Sequence, residues 1–381
     1  MWKSALLAIP SSLVSSVSST LQAVLTVSVK STLNLKKNNV PLFPLLALHA
    51  FLSQSIEELD KSETLSSRPL VGGQAVMEGV MRRNADLYGR AVRRPNGSIV
   101  AIRRPWRSLF SHPFFKIPVI RGFPVLVDTL YNGVGALNKS AELAEVDEGQ
   151  KVTNLQLVVS MIIAVLMAVG LFVLAPHFLS LLMFFLHVGG NVEGFSFHIW
   201  DGFFKACIFF GYLWLISLMP DIRRVLCYHG AEHKTIHAFE EARLVSQAST
   251  RSQSRFHPRC GTTFLLFVIS LSILLHAVLV PPLLALFDPA GEVAKHSLGI
   301  VIKLLLIVPI SAFSYELIRF AAKLHHPLAK KLFQAPGLFL QRLTTREPDN
   351  NQIDVALVSL AVALDESDRK FVETVSYTLE D

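Results

Sequence analysis

The sequence predicts a mainly α, polytopic helical membrane protein of about four transmembrane helices, preceded by a small, hairpin-containing α+β soluble segment. Three observations predict it. The chain of 381 residues is 51% hydrophobic and only 17% charged, with mean hydropathy +0.44, too apolar for an ordinary soluble domain. Four apolar runs, Leu155–Ala175, Phe203–Met219, Thr263–Val280 and Leu298–Phe320, approach or reach the ~20 residues that a helix needs to cross a bilayer. Lys and Arg alternate between the sides that these runs define. Residues 176–202 and 281–297 hold only Lys295 between them. The segment before the first run, the 220–262 loop (Arg223, Arg224, Lys234, Arg243, Arg251, Arg255, Arg259) and the tail after 318 are basic. Four crossings with both termini on the positive side satisfy this pattern, and a fifth breaks it. The short apolar stretch His177–Val188 therefore reads as re-entrant or interfacial. Pro176, Pro220 and Pro281-Pro282 read as the ends of the first three spans.

Residues 1–56 contain no Asp or Glu, carry Lys3, Lys30, Lys36 and Lys37, and are rich in Ser. That is the composition of an organelle transit peptide, here for a chloroplast. Residues 57–150 follow as a basic soluble α+β segment, 151–322 as the four-span domain with its motif-bearing loop 220–262, and 323–381 as C-terminal interfacial and packing helices. Gly72 to Arg82 has the glycines of a strand meeting a tight turn. Glu78 stands there among apolar neighbours, as a paired or ligating carboxylate or as a solvated turn residue. Pro95-Asn96-Gly97 between two extended runs predicts a hairpin, Pro105, Pro113 and Pro118 an irregular segment, and the apolar spacing from Val125 to Leu143 a helix over 124–146. Eleven Lys or Arg against two acids lie between 68 and 121. Through residues 82–121 this basic face suits anionic lipid. No stacking platform or phosphate-cradling loop accompanies it, which argues against nucleic acid as a partner. In the tail, Leu338–Leu343 reads as an amphipathic helix and Gln352–Leu364 as a packing helix, with Glu347, Asp349 and Asp354 as helix-start acids. Three cysteines, Cys207, Cys227 and Cys260, give no disulfide framework.

The chemistry concentrates after the second run. As a helix, Tyr228 to Glu240 puts His229, His233 and His237 at i, i+4 and i+8 on one face. His229-x-x-Glu232-His233 has the inverted zincin order. In that pattern the histidines hold a divalent metal, zinc above all, and Glu232 is the general base acting on water. Gly230 weakens a helix here by about 1 kcal/mol. At the far end of the same loop, His257-Pro258-Arg259-Cys260 offers a second His/Cys pair at metal-ligand spacing. In the fourth run, Glu316 is either a further ligand or the partner of Arg319. Lys303 is an ionisable residue inside a span, by default a functional position; Lys205 and His276 read as isolated packing residues.

Gly72–Met81, His229–Ile236, His257–Thr262, Ser314–Glu316 and Leu343–Asp349, in this order, resemble the YqhQ-type membrane proteins. That is a domain-of-unknown-function family of bacteria, found also in plastid-bearing eukaryotes. The likeness covers residues 70–364. It implies an integral membrane protein and a metal-dependent enzyme whose reaction is not named. The expectation is a membrane-embedded metal-dependent enzyme, hydrolytic, with Glu232 as base and His229, His233, His237, His257, Cys260, Glu316 and Glu78 as candidate ligands. The alternatives are a non-enzymatic scaffold, assembly or partner-binding module, and a transporter suggested by Lys303 and Glu316. A homo-oligomer or a membrane-protein partner fits either. The expected location is the chloroplast envelope or thylakoid, with the motif-bearing loops facing the stroma.

Overall fold

The computed structural model describes residues 68–380 apart from 107, 109, 111, 145–152, 243 and 325; the expected transit peptide lies outside them. In chain order the elements are β1 (Gly72–Val76), β2 (Gly79–Asn84), β3 (Leu87–Arg93), β4 (Ile99–Pro105), α1 (Gly122–Ala144), α2 (Asn154–Val169), a π-helical turn (Gly170–Leu174), α3 (Ala175–Phe185) and α4 (Phe195–Ile216). They continue with α5 (Pro220–Glu241), α6 (Gln247–Arg251), α7 (Thr262–Phe287), α8 (Glu292–Leu305), α9 (Ile307–Lys323), α10 (Pro327–Thr344), α11 (Asn350–Ala363), α12 (Glu366–Arg369) and β5 (Thr378–Glu380).

Strands β1 to β4 form an antiparallel meander, and β5 joins β4 in parallel. The expected hairpin closes at Pro95-Asn96-Gly97, where Arg94 N–H donates to Ser98 O at 2.9 Å. The first turn places Glu78 at φ 50. Helix α11 packs against β2, β3 and β4. It is buried around its whole circumference, including Ile353, Val355, Val358, Leu360 and Val362, as the packing reading of 352–364 anticipates. Asp349 caps it, its carboxylate accepting from Gln352 N–H at 2.8 Å.

Among the described residues, four helices are long and apolar enough to cross a membrane: Val158–Phe185, Phe195–Ile216, Thr262–Phe287 and Glu292–Ala321. Their count agrees with the charge alternation, and they fit an integral membrane protein. Leu155, Val158, Ile162, Leu166 and Met167 are each more than half exposed, an outward apolar surface that only a bilayer or a partner would cover. Three boundaries differ from the expectation. His177–Val188 is not a separate re-entrant element, because α2 continues through the π turn into α3. Pro176 lies inside this continuous helix, just after the π turn, and does not end it; such local adjustments let a membrane helix tolerate proline. Pro281 and Pro282 lie inside α7 and do not end it; its stop is Asp288, at φ 40. The second span starts at Phe195, ahead of the expected apolar run from Phe203.

Helix α5 starts at Pro220 and carries Tyr228, Ala231 and Phe239 into one core with the sheet and α11. Gly230 is where the tail crosses this helix. A Cβ there would lie 2.0 Å from the carbonyl oxygen of Arg346, whose N–H donates to Leu226 O at 2.9 Å. The helix-weakening glycine thus permits a backbone contact that any side chain blocks. Gly230→Ala should cost about 1–3 kcal/mol of stability by overpacking, read as a lowered thermal midpoint in detergent. Gly135→Ala, where α1 has open space, should be neutral or stabilising by about 0.5–1 kcal/mol.

Candidate metal centre

Helix α5 turns His229 and His233 to one side, with ring centroids 4.4 Å apart. The chain returns through α6 and delivers Cys260 just before α7, with Sγ 3.3 Å from His229 Nε2. One donor atom from each of His229, His233 and Cys260 lies within 4.8 Å of the others. These three could hold a metal ion.

The rings are oriented from behind. His229 Nδ1 is 2.7 Å from Thr344 O, and His233 Nδ1 is 2.5 Å from Arg255 O. A carbonyl at Nδ1 fixes a proton there and turns Nε2 to the cluster as the nitrogen that a metal would take on displacing its proton, the arrangement that metal-bound histidines show. His233 Nε2 is buried without a hydrogen-bond partner among the described residues. An orphaned lone pair of this kind beside a sulfur and a second imidazole fits a divalent ion.

Glu232 is 4% exposed and Arg82, from β2, is 0% exposed. Arg82 Nη1 donates to Glu232 Oε1 at 2.6 Å and Nη2 to the Glu232 carbonyl at 2.6 Å. The other carboxylate oxygen, Oε2, faces His233 Nε2 at 3.5 Å. Burial alone would raise the Glu232 pKa, but Arg82 first, then His233 and His229, hold it below the usual carboxylate range. Gly73 lets β1 pass this close, since a Cβ there would meet Glu232 Oε1 at 2.7 Å. Burial by itself would push the His229 imidazole down; the neighbouring Cys260 sulfur and Glu232 lift it to about 9. Burial would likewise push the Cys260 thiol up, and His229 and His233 bring it down to about 5.

The other expected ligands lie elsewhere. His237 Nε2 is 2.9 Å from Phe256 O. His257 is buried, its ring 4.5 Å from that of His237 and 5.8 Å from that of His233, so it flanks the cluster. Its backbone is clamped by Gln341, which accepts from His257 N–H and donates to His257 O, each at 2.8 Å. Glu78 is held by Arg224 through both oxygens at 2.7 and 2.6 Å and accepts from Tyr228 at 3.3 Å. Glu316 takes two bonds from Arg121 at 2.7 Å, not an ion pair with Arg319. Both carboxylates are engaged by guanidinium groups and are not brought to the cluster. Glu347, expected as a helix-start acid, pairs with Lys234. Arg82, Thr344, Arg255 and Gln341 escaped the sequence reading. The local signals among them were the position of Arg82 at the end of the Gly72 to Arg82 stretch and that of Thr344 within Leu343–Asp349.

The chain belongs to the family described as "Protein of unknown function (DUF1385)", whose model matches residues 117–366. It is 32% identical over 311 residues, 76% of this chain and 91% of the relative, to "Uncharacterized protein YqhQ" of Bacillus subtilis (strain 168). No solved structure matches it. The resemblance carried by the five motifs is therefore a true family membership, and it brings no reaction with it.

The Cys260 thiolate is testable directly. In metal-stripped protein, iodoacetamide labelling read by peptide mass spectrometry should be flat for Cys260 between about pH 6 and 8, because its thiolate is already formed. Cys227, whose pKa burial raises, should gain rate with each step. His229→Ala should move Cys260 onto the rising curve; an unchanged flat profile in that variant contradicts the assigned cause.

Proposed function

We propose that this DUF1385 protein is a membrane-embedded metal-dependent enzyme, hydrolytic in class, with His229, His233 and Cys260 as its metal ligands. The observation that carries the reading is the convergence of three N/S donors, two of them with the opposite ring nitrogen held by a backbone carbonyl. Imidazole and thiolate donors favour zinc. Three protein ligands are the set used by catalytic zinc sites, which keep a position open, whereas structural sites close with four. The chemistry a bound zinc supplies is Lewis-acid activation of water. Glu232 Oε2 is the group placed to accept a proton there. Arg82 keeps that carboxylate ionised and fixes its direction. His257 and Gln341 hold the Cys260 loop in place. His237, Glu78 and Glu316 are left outside the ligand set.

A non-enzymatic role, with the same residues tying the 220–262 loop to the tail, is favoured by one observation: Glu232 and His233 are almost fully buried. Elemental analysis of the detergent-purified full chain separates the cases. About one zinc per chain is expected, lost in His229→Ala/His233→Ala and retained in Glu232→Gln. Under the enzymatic reading Glu232→Gln also loses hydrolysis by about 10²-fold or more in a substrate screen. A wild-type protein that stays metal-free after anaerobic reconstitution contradicts the whole reading.

The basic segment supports a lipid partner. A cavity of about 490 Å³ is lined by Arg90, Arg104, Trp106, Tyr131 and Lys139, with Val158 and Met161 of the first span at its wall. Cationic groups beside membrane-span side chains suit an anionic phospholipid headgroup. Native mass spectrometry should show phosphatidylglycerol retained over phosphatidylcholine, and Arg104→Ala/Lys139→Ala should remove the preference. The plastid address rests on the composition of residues 1–56, and the stromal orientation of the metal centre on the Lys and Arg distribution. A homo-oligomer or membrane-protein partner would serve to cover the apolar surface.

A further inference from the structure

The four spans enclose a second polar cluster, which shares no residue with the metal centre. Lys205 and His276, read singly from the sequence as packing residues, are not isolated. His296 Nδ1 on α8 is 3.0 Å from His177 Nε2 on α3. His177 Nδ1 is 3.2 Å from Lys303 Nζ. Lys303 donates to Asp201 Oδ1 on α4. Asp201 Oδ2 lies 3.4 Å from Lys205 Nζ, and Lys205 Nζ is 3.0 Å from His276 Nδ1 on α7. Six ionisable side chains from four helices thus form one unbroken chain. His177, Asp201, Lys205, His276 and Lys303 are each at most 3% exposed; His296 is half-buried.

The charge count is uneven. Two lysines share one carboxylate. A structural ion pair inside a bilayer is complete with one lysine, and a second leaves an uncompensated charge in the most expensive place for it. The other polar groups packed around the chain do not offset it. His198 on α4 turns Nε2 toward Val192 O at 3.0 Å. At the mouth, Lys295 pairs with Glu193 at 3.0 Å and stands 3.8 Å from Glu292. The inner end is open: His276 Nε2 is buried without a hydrogen-bond partner among the described residues. The π turn falls immediately before the helix that carries His177, and such turns recur at functional sites because they re-aim side chains.

We propose that these spans carry a proton relay, running from His296 at the face with the 186–194 loop to His276 near the middle of α7. The surplus ammonium proton leaves by either arm. Lys303 passes it to His177 Nδ1, and His177 releases the proton on Nε2 to His296. Lys205 passes it to His276 Nδ1, and His276 releases the proton on Nε2 to a water molecule that reaches this end of the relay. Asp201 exchanges protons with both lysines, so a proton lost on one arm is regained from the other. Ser272 on the same helix and Ser311 and Ser314 on α9 are also buried, each with its position in the chain between the relay and the face that holds the metal centre.

The test is proton flux through the full chain in phosphatidylcholine vesicles with a trapped pH dye, driven by a potassium potential with valinomycin. Wild-type vesicles should acidify at least tenfold faster than empty ones. Asp201→Asn and His296→Ala should fall to the empty-vesicle rate. His296→Ala alters a half-buried mouth residue, so its loss cannot be put down to a collapsed core, and the gel-filtration profile and thermal midpoint of the same preparations report folding separately. Wild-type flux equal to empty vesicles, or unchanged flux in folded His296→Ala, overturns the relay and leaves the cluster a structural ion network.

Discussion

The buried pair between Arg82 and Glu232 is the contact on which the metal centre depends. Taking both charges out of water costs several kcal/mol for each ion before their attraction returns it. The geometry meets that cost with two bonds of 2.6 Å, one to the carboxylate and one to the Glu232 carbonyl. The guanidinium therefore binds the side chain and the helix backbone together. It locks β2 against α5 and leaves Oε2 alone to face the histidines. Truncating either partner to Ala would strand a charge in the interior, typically a loss of about 3–5 kcal/mol, whereas Glu232→Gln keeps an acceptor oxygen for Arg82 and leaves the bond to the backbone carbonyl in place.

From that anchor the site is assembled in tiers. The sheet and α11 supply the rigid body beneath α5. The tail crosses at Gly230, where the absent Cβ lets Arg346 approach, and Thr344 thereby reaches His229. Arg255 contributes its carbonyl to His233 and donates to Thr345 O at 2.8 Å, so the loop and the tail brace each other. The family motifs at 229–236, 257–262 and 343–349 meet around this one point, and the motif at 72–81 reaches it through Gly73. Ser314–Glu316 does not: it serves the junction with Arg121.

Much of this was legible in the sequence, for local reasons. The spans declare themselves by length and hydropathy, the hairpin by Asn96-Gly97, and the His229/His233 pair by a spacing of four. What was not legible involves partners far apart in the chain. Arg82 and Glu232 are 150 positions apart, and Glu316 and Arg121 are 195 apart. A helix pattern reports which residues share a face but not what stands opposite. For the same reason Lys205 and His276, 71 positions apart, read as lone residues; Asp201, a turn before Lys205, lies outside the apolar run that begins at Phe203. The prolines misled at span ends because a membrane helix tolerates them where neighbours satisfy the freed carbonyls.

X-ray absorption spectroscopy on the zinc-loaded full chain tests the central claim most directly, since it reads the ligand atoms themselves. The account predicts one sulfur at ~2.3 Å with nitrogen and oxygen at ~2.0–2.1 Å, and loss of the sulfur shell alone in Cys260→Ser. A wild-type spectrum with nitrogen and oxygen only, or one unchanged in Cys260→Ser, would contradict it.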